Sequence, residues 1–262
     1  MPPLGALEGP CARDLYLDLL KKSLTNTLFE PEPDANEPDM YRFAANLIEH
    51  YVHGDAISML PLARFNNLQT RILDVLERGV PGDLIETGVW RGGATIFMRG
   101  VLRACGVTDR TVWVADSFEG LPEPDPERFP VEARVHRGPV MTKALKHLAV
   151  ELDEVVRNFR AYGLLDRQVR FLKGWFRDTL PSAPIRALAV LRLDGDYYES
   201  TRDALVHLYD RVSPGGYVIV DDYGEDAWTY CRQAVDEFRR ERGIGEAMVA
   251  VDSRCYYWRK AG

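Results

Sequence analysis

The chain has 262 residues, of which 46% are hydrophobic and 28% charged, with a formal net charge of -7. That is the composition of a folded globular chain, and it excludes a fibre or an extended disordered polymer. No lysine- or arginine-rich block supplies the basic footprint that nucleic acid demands, and the four cysteines, Cys11, Cys105, Cys231 and Cys255, are too scattered for a zinc ribbon or a disulfide framework.

The N-terminal stretch MPPLGALEGPCARDLY lacks the basic start and apolar run of a signal peptide, and no apolar run approaches the roughly 18 residues of a membrane span. With thiols of a reduced kind, a cytoplasmic protein is expected. Residues 12–24 read as a short helix, 29–39 as a proline-rich acidic surface loop, and 40–53 as helical. Residues 62–79 give an amphipathic helix, with Leu68, Ile72, Leu73 and Leu76 on one side and Gly79 as its stop. After Pro81 apolar strands alternate with helices. Strands are predicted at 83–88, 111–118, 168–174, 187–194 and 216–222, and helices at 93–106, 143–163, 199–211 and 227–242. A polar insert without clear periodicity runs from 119 to 142, longer than most connections, as lids often are. Two short β runs, 246–252 and 255–260, close the chain too near each other for a crossover helix, so they must form an antiparallel hairpin.

Near-continuous apolar strands alternating with helices imply a parallel sheet covered on both faces. The expected fold is α/β: a doubly wound, Rossmann-like, seven-stranded sheet ending in that hairpin, the architecture of class I methyltransferases. Residues 1–80 would form an N-terminal helical lid region, and residues 81–262 the cofactor-binding domain with its insert.

Ligands of doubly wound sheets sit beyond the carboxyl ends of the strands. The first strand ends Glu86-Thr87-Gly88, followed by Gly92 and Gly93. This G-x-x-x-G-G spacing is not the G-x-G-x-x-G that seats a pyrophosphate. A carboxylate at Glu86 would repel a diphosphate and attract the ammonium of a methionine moiety. The second strand ends Asp116-Ser117, and an acid there suits the two hydroxyls of an adenosine ribose, or simply caps a turn. The third ends at Gly174-Trp175, where the indole would stack on adenine or pack the next helix.

The next two strands end Asp194-Gly195-Asp196 and Asp221-Asp222. Four carboxylates at adjacent strand tips, without a counter-charge, would raise one another's pKa. A hard divalent cation, magnesium above all, resolves that conflict. An Asp-x-Asp pair also serves metal-dependent glycosyltransferases, but they use it to hold a diphosphate, and Glu86 argues against one. A metal-dependent catechol or phenol O-methyltransferase, a nicotinamide enzyme and a silent adenosine-binding module remain as alternatives. His136, in the insert, is a competing base, though a lone loop histidine is more often solvated.

The motifs ETGVWRGGAT, ADSFEGLP, KGWFRDTLP, RLDGDYYEST and VDDYG, in this order, resemble the macrocin-type O-methyltransferases of antibiotic deoxysugars, over nearly the whole chain. The resemblance implies S-adenosyl-L-methionine, Mg2+ and a deoxysugar acceptor on an antibiotic natural product, with the 4-hydroxyl of a noviosyl group of an aminocoumarin as the specific expectation. It also implies Asp194, Asp221 and Asp222 as metal ligands, Asp196 as general base, and Met59 closing over the methionine part of the cofactor. It further implies a homodimer, the commonest closed assembly.

Overall fold

The computed structural model describes residues 10–29, 55–224 and 229–262. The loop expected at 29–39 and the helix at 40–53 therefore lie, apart from Phe29, outside the described residues. The elements in chain order are α1 (Ala12–Leu24), α2 (Leu62–Glu77), β1 (Asp83–Thr87), α3 (Gly93–Ala104), β2 (Val112–Asp116), α4 (Pro130–His136), α5 (Pro139–Leu148) and α6 (Leu152–Ala161). There follow β3 (Val169–Lys173), α7 (Phe176–Thr179), β4 (Leu188–Leu193), α8 (Tyr198–Leu208), β5 (Val212–Val220), α9 (Thr229–Glu241), β6 (Val249–Ala250) and β7 (Tyr256–Arg259).

The sheet has seven strands in the order β3-β2-β1-β4-β5-β7-β6. β1 to β5 are parallel, and β7 runs antiparallel to both of its neighbours. The terminal hairpin expected from the sequence is present, and its second strand is the one that joins the sheet.

Side chains alternate along each strand and sort into two cores. Leu84, Val112, Val114, Val190 and Ile219 face one layer, where they meet Leu17, Leu20 and Leu24 of α1, Phe65, Leu68, Ile72 and Val75 of α2, and the buried face of α3. The N-terminal helices thus share one core with the sheet. Ile85, Ala115, Leu191, Leu193, Val218 and Val220 face the other layer, with Ala204, Leu205 and Leu208 of α8 and Val235 and Phe238 of α9. The burial of both faces explains why the strands read as continuous apolar runs.

Three readings need correction. The insert at 119–142 is not aperiodic, because it contains α4 and the start of α5, each opened by a proline in its first turn. The helix expected over 143–163 is two helices, broken where Ala149 turns to extended backbone. β6 spans two residues only, far less than the 246–252 run.

Candidate active site

The glycine turn after β1 is shaped by what lies against it. Gly88 has φ 88, and a Cβ there would stand 1.8 Å from the carbonyl oxygen of Asp194, so only glycine lets the β1 and β4 ends approach. Gly93 opens α3, and a Cβ there would meet Ser58 Cβ at 2.4 Å and the Ile57 carbonyl oxygen at 2.7 Å. The segment bearing half-buried Met59 therefore lies across the start of this helix. Thr87 is buried, and its carbonyl accepts the Asp194 amide at 2.9 Å.

Asp116, at the end of β2, accepts the Val89 amide on one oxygen at 2.7 Å and the Phe118 amide on the other at 2.8 Å. Burial raises its pKa, against the opposing pull of these backbone donors. The Ser117 hydroxyl also lies 3.3 Å from the oxygen that accepts the Phe118 amide. Ser117 is committed to its own turn: its hydroxyl donates to the Gly120 carbonyl at 2.8 Å and accepts the Glu119 amide at 3.0 Å. The Gly174 amide donates to the Asp116 carbonyl at 2.9 Å, which places Trp175, half-buried at the start of α7, beside the β2 end.

Asp194, Asp221 and Asp222 come together: one carboxylate oxygen from each lies within 4.8 Å of the others. Asp196 follows in the left-handed region at φ 57, a conformation that aspartate tolerates better than most residues. The expectation that these carboxylates lack a counter-charge is wrong. Arg192, 1% exposed, donates from Nη1 to Glu86 Oε1 at 2.5 Å and to Asp194 Oδ2 at 2.6 Å, and from Nη2 to Asp221 Oδ1. Arg64 of α2 donates to Asp221 Oδ2 at 2.6 Å and from Nε to Asp252 Oδ2 at 2.7 Å. Glu86 is consequently a buried partner of Arg192 rather than an open carboxylate at the glycine turn.

These contacts divide the cluster. Burial opposes ionisation of Asp221, yet Arg192 and Arg64 together hold its carboxyl below the usual range. Burial pushes Asp194 up to about 6 despite Arg192, and Glu86 up to about 8. Asp196 and Asp222 stand well above the ordinary carboxylate value, first through burial and then through neighbouring carboxylates. Asp222 Oδ2 and Glu86 Oε2 are buried with no hydrogen-bond partner. A hard divalent cation fits this set: all donors are oxygens, the acids outnumber the two arginines, and one buried oxygen, Asp222 Oδ2, is unsatisfied.

His136 is not a solvated loop residue. It closes α4, and its Nδ1 lies 2.8 Å from the hydroxyl of Tyr197, the residue after Asp196. Glu132, one helical turn earlier, is buried and accepts the Tyr198 amide at 3.1 Å. Sequence reasoning missed Arg64, Arg192, Asp252, Glu132 and Tyr197. Two signals were available. An arginine in the middle of the apolar run LAVLRL must find acids there, and Phe129, Glu132, Ala133 and His136 fall at helical spacing.

A parallel sheet closed by an antiparallel hairpin, with a glycine turn after β1 and acids at the β2, β4 and β5 ends, defines a class I S-adenosylmethionine-dependent O-methyltransferase. A profile of the macrocin-O-methyltransferase (TylF) family matches residues 52–260, and the chain belongs to that family. It is 51% identical over 255 residues to the 8-demethyl-8-(2,3-dimethoxy-alpha-L-rhamnosyl)-tetracenomycin-C 4'-O-methyltransferase of Streptomyces olivaceus, covering 95% of this chain and 93% of that one. It is 47% identical over 260 residues to the demethyldecarbamoylnovobiocin O-methyltransferase of Streptomyces niveus, covering 97% of both. The solved structure of the O-methyltransferase NovP superposes with a TM-score of 0.83 at 46% identity, over 95% of this chain and all of that one. Among the described residues no helix is long and apolar enough to cross a membrane.

Proposed function

We propose that this enzyme methylates a hydroxyl of a deoxysugar carried by an antibiotic natural product, with a divalent cation held by Asp194, Asp221 and Asp222 and with Asp196 as general base. The observation that carries the reading is the meeting of three carboxylates within 4.8 Å, one with a buried unsatisfied oxygen, at strand ends, with a fourth acid, Asp196, two residues beyond Asp194. Relatives named for rhamnosyl-tetracenomycin and demethyldecarbamoylnovobiocin support a glycosylated acceptor. The 4-hydroxyl is favoured because the tetracenomycin relative is named for a 4' position. The noviosyl ring of an aminocoumarin is the acceptor expected from the sequence motifs.

When bound, S-adenosylmethionine supplies an electrophilic methyl group and a hard divalent cation acidifies and orients the acceptor hydroxyl. The residues then have distinct tasks. Asp116 holds the ribose hydroxyls, and Gly174 with Trp175 borders the adenine. Met59 and the segment around it cover the methionine end, near Thr87 and Gly88. Glu86 acts through Arg192, which it helps to hold beneath the metal-binding acids. Asp196 would remove the acceptor proton as the oxygen takes the methyl group from the sulfonium and S-adenosylhomocysteine leaves, and a divalent cation beside it would favour the ionised, proton-accepting form of its carboxyl. The insert, with the N-terminal region, shields the acceptor from water.

The test is direct. Calorimetry with S-adenosylhomocysteine should show binding, and turnover of demethyldecarbamoylnovobiocin and of 8-demethyl-8-(2,3-dimethoxy-alpha-L-rhamnosyl)-tetracenomycin C should be assayed with magnesium and with chelator. Full activity in chelator would remove the metal from the mechanism. Methylation of a simple catechol in preference to both glycosides would overturn the sugar assignment.

A further inference from the structure

We infer that helix α4 of the insert is latched onto the Asp196 turn, and that Glu132, His136 and Tyr197 are positioning residues that hold Asp196 for proton removal. The inference rests on the proposed role of Asp196 as base.

Four contacts in sequence tie α4 and the residue pair before it to residues 197–199. Arg128 donates to Glu199 at 2.6 Å. Phe129 stacks on Tyr198 with ring centroids 4.7 Å apart. Glu132 accepts the Tyr198 amide at 3.1 Å, and His136 Nδ1 meets the Tyr197 hydroxyl at 2.8 Å with the two rings edge to face at 5.7 Å. Glu132 and His136 are four residues apart, so both project from one face of α4. Three of these contacts involve side chains out of bulk water: Phe129, Glu132 and Tyr197 are 7%, 4% and 2% exposed.

The turn they grip is one that needs gripping. Asp196 sits at φ 57, a sparsely populated conformation that persists only where its surroundings enforce it. Gly195, just before it, packs so closely that a Cβ would lie 2.9 Å from Ser200 Cβ. On the far side Tyr198 donates its hydroxyl to Glu237 Oε2 at 2.5 Å, anchoring the turn to α9. The turn is thus packed against α8 on one side and tied to α9 on another and to α4 on a third. Of these holds only α4 belongs to the insert that would cover the acceptor. Docking of the insert and orientation of the base therefore occur together. Water exclusion and base alignment are one event, which keeps an aligned Asp196 from acting on an uncovered acceptor.

The latch is tested with paired variants in the full-length enzyme. Tyr197→Phe and His136→Phe remove the polar contact, and Glu132→Leu removes the acceptor of the Tyr198 amide. His136→Asn and Glu132→Gln keep a hydrogen-bonding group in place. Amide exchange at residues 197–199, which needs no acceptor, should quicken at least tenfold in Glu132→Leu and remain near the wild-type rate in Glu132→Gln. With demethyldecarbamoylnovobiocin as acceptor, Tyr197→Phe and His136→Phe should lower kcat about tenfold, the effect of one lost aligning bond. Acceptor KM and S-adenosylhomocysteine affinity should stay within twofold, and His136→Asn should recover most of the turnover. A rise in acceptor KM with kcat unchanged would make α4 a substrate contact and overturn the latch, as would unchanged exchange in Glu132→Leu. Asp196→Asn is assayed alongside. If it is inactive while Tyr197→Phe and His136→Phe turn over normally, the latch alone fails; if it turns over normally, the base assignment fails and the latch falls with it.

Discussion

Arg192 lies beside Glu86 across the β1–β4 ladder, Nη1 to Oε1 at 2.5 Å, with both side chains 1% exposed. The same guanidinium reaches Asp194 and Asp221, so one buried cation ties three acids at the ends of three strands. Removing one member of a buried ionic group strands the others without solvation. Arg192→Met should destabilise the protein by about 3–5 kcal/mol. Thermal unfolding should show a Tm roughly 6–20 °C lower. A shift of a degree or two would mean that the acids simply take up protons when Arg192 is lost.

Asp116 joins the turns that follow β1 and β2, since it accepts the Val89 amide after β1 as well as the Phe118 amide after β2. Asp116→Ala should weaken S-adenosylhomocysteine binding at least tenfold, given roughly 1.5–3 kcal/mol for each hydrogen bond to a charged group. Calorimetry measures it, and unchanged affinity would confine Asp116 to holding the turns together.

Chelation and proton removal fail in different ways. Asp222→Asn and Asp194→Asn should lose activity mainly through cation affinity, with partial rescue by excess magnesium. Asp196→Asn keeps a residue type that tolerates φ 57, so the turn survives. It should bind cofactor and cation normally yet turn over about 10²–10⁴-fold more slowly, without rescue. Metal titration of the variants separates the roles, and rescue of Asp196→Asn alone would reverse them.

Burial pushes the Glu132 carboxyl up to about 7, against an ordinary value of 4.5. A folded-state pKa above the unfolded one means that the folded protein retains a proton the unfolded chain has released, so stability falls as pH rises between the two values. Glu132→Gln abolishes this dependence. At pH 8.5 the variant should be more stable than the wild type by on the order of 3 kcal/mol, and near pH 5 the difference should shrink to roughly 1 kcal/mol or less. Unfolding at the two pH values checks it, and an equal difference at both would mean that Glu132 does not titrate in this range.

The strand-helix alternation, the terminal hairpin and the acids at the strand tips were legible because each follows from local pattern: continuous apolar runs, a connection too short for a helix, polar residues where such a run stops. What escaped was whatever depends on pairing across the fold. Asp194 and Asp221 announce themselves at strand ends, but Arg64 comes from a helix 157 residues before its partner Asp221. Nothing in the local spacing of α2 marks which of its polar residues turns inward. The insert misled for a different reason. Its prolines and charges suggest a coil, while its helices are short and owe their order to the surface that they dock on rather than to their own amphipathic length.

Trp90, Phe118 and Asp196 each stand within a few residues of a parallel strand's end, and each has positive φ, at 47, 57 and 57. For anyone seeking to redirect this enzyme to a new glycoside, the tips of the sheet are poor ground. Substitution there must first satisfy an unusual backbone, so most of a randomised library would be lost to misfolding before selectivity was ever sampled. Diversity belongs instead on the outward-facing positions of α4 and α5. Val131 and Val135, half or nearly half exposed, can change in size without disturbing the face that carries Glu132 and His136.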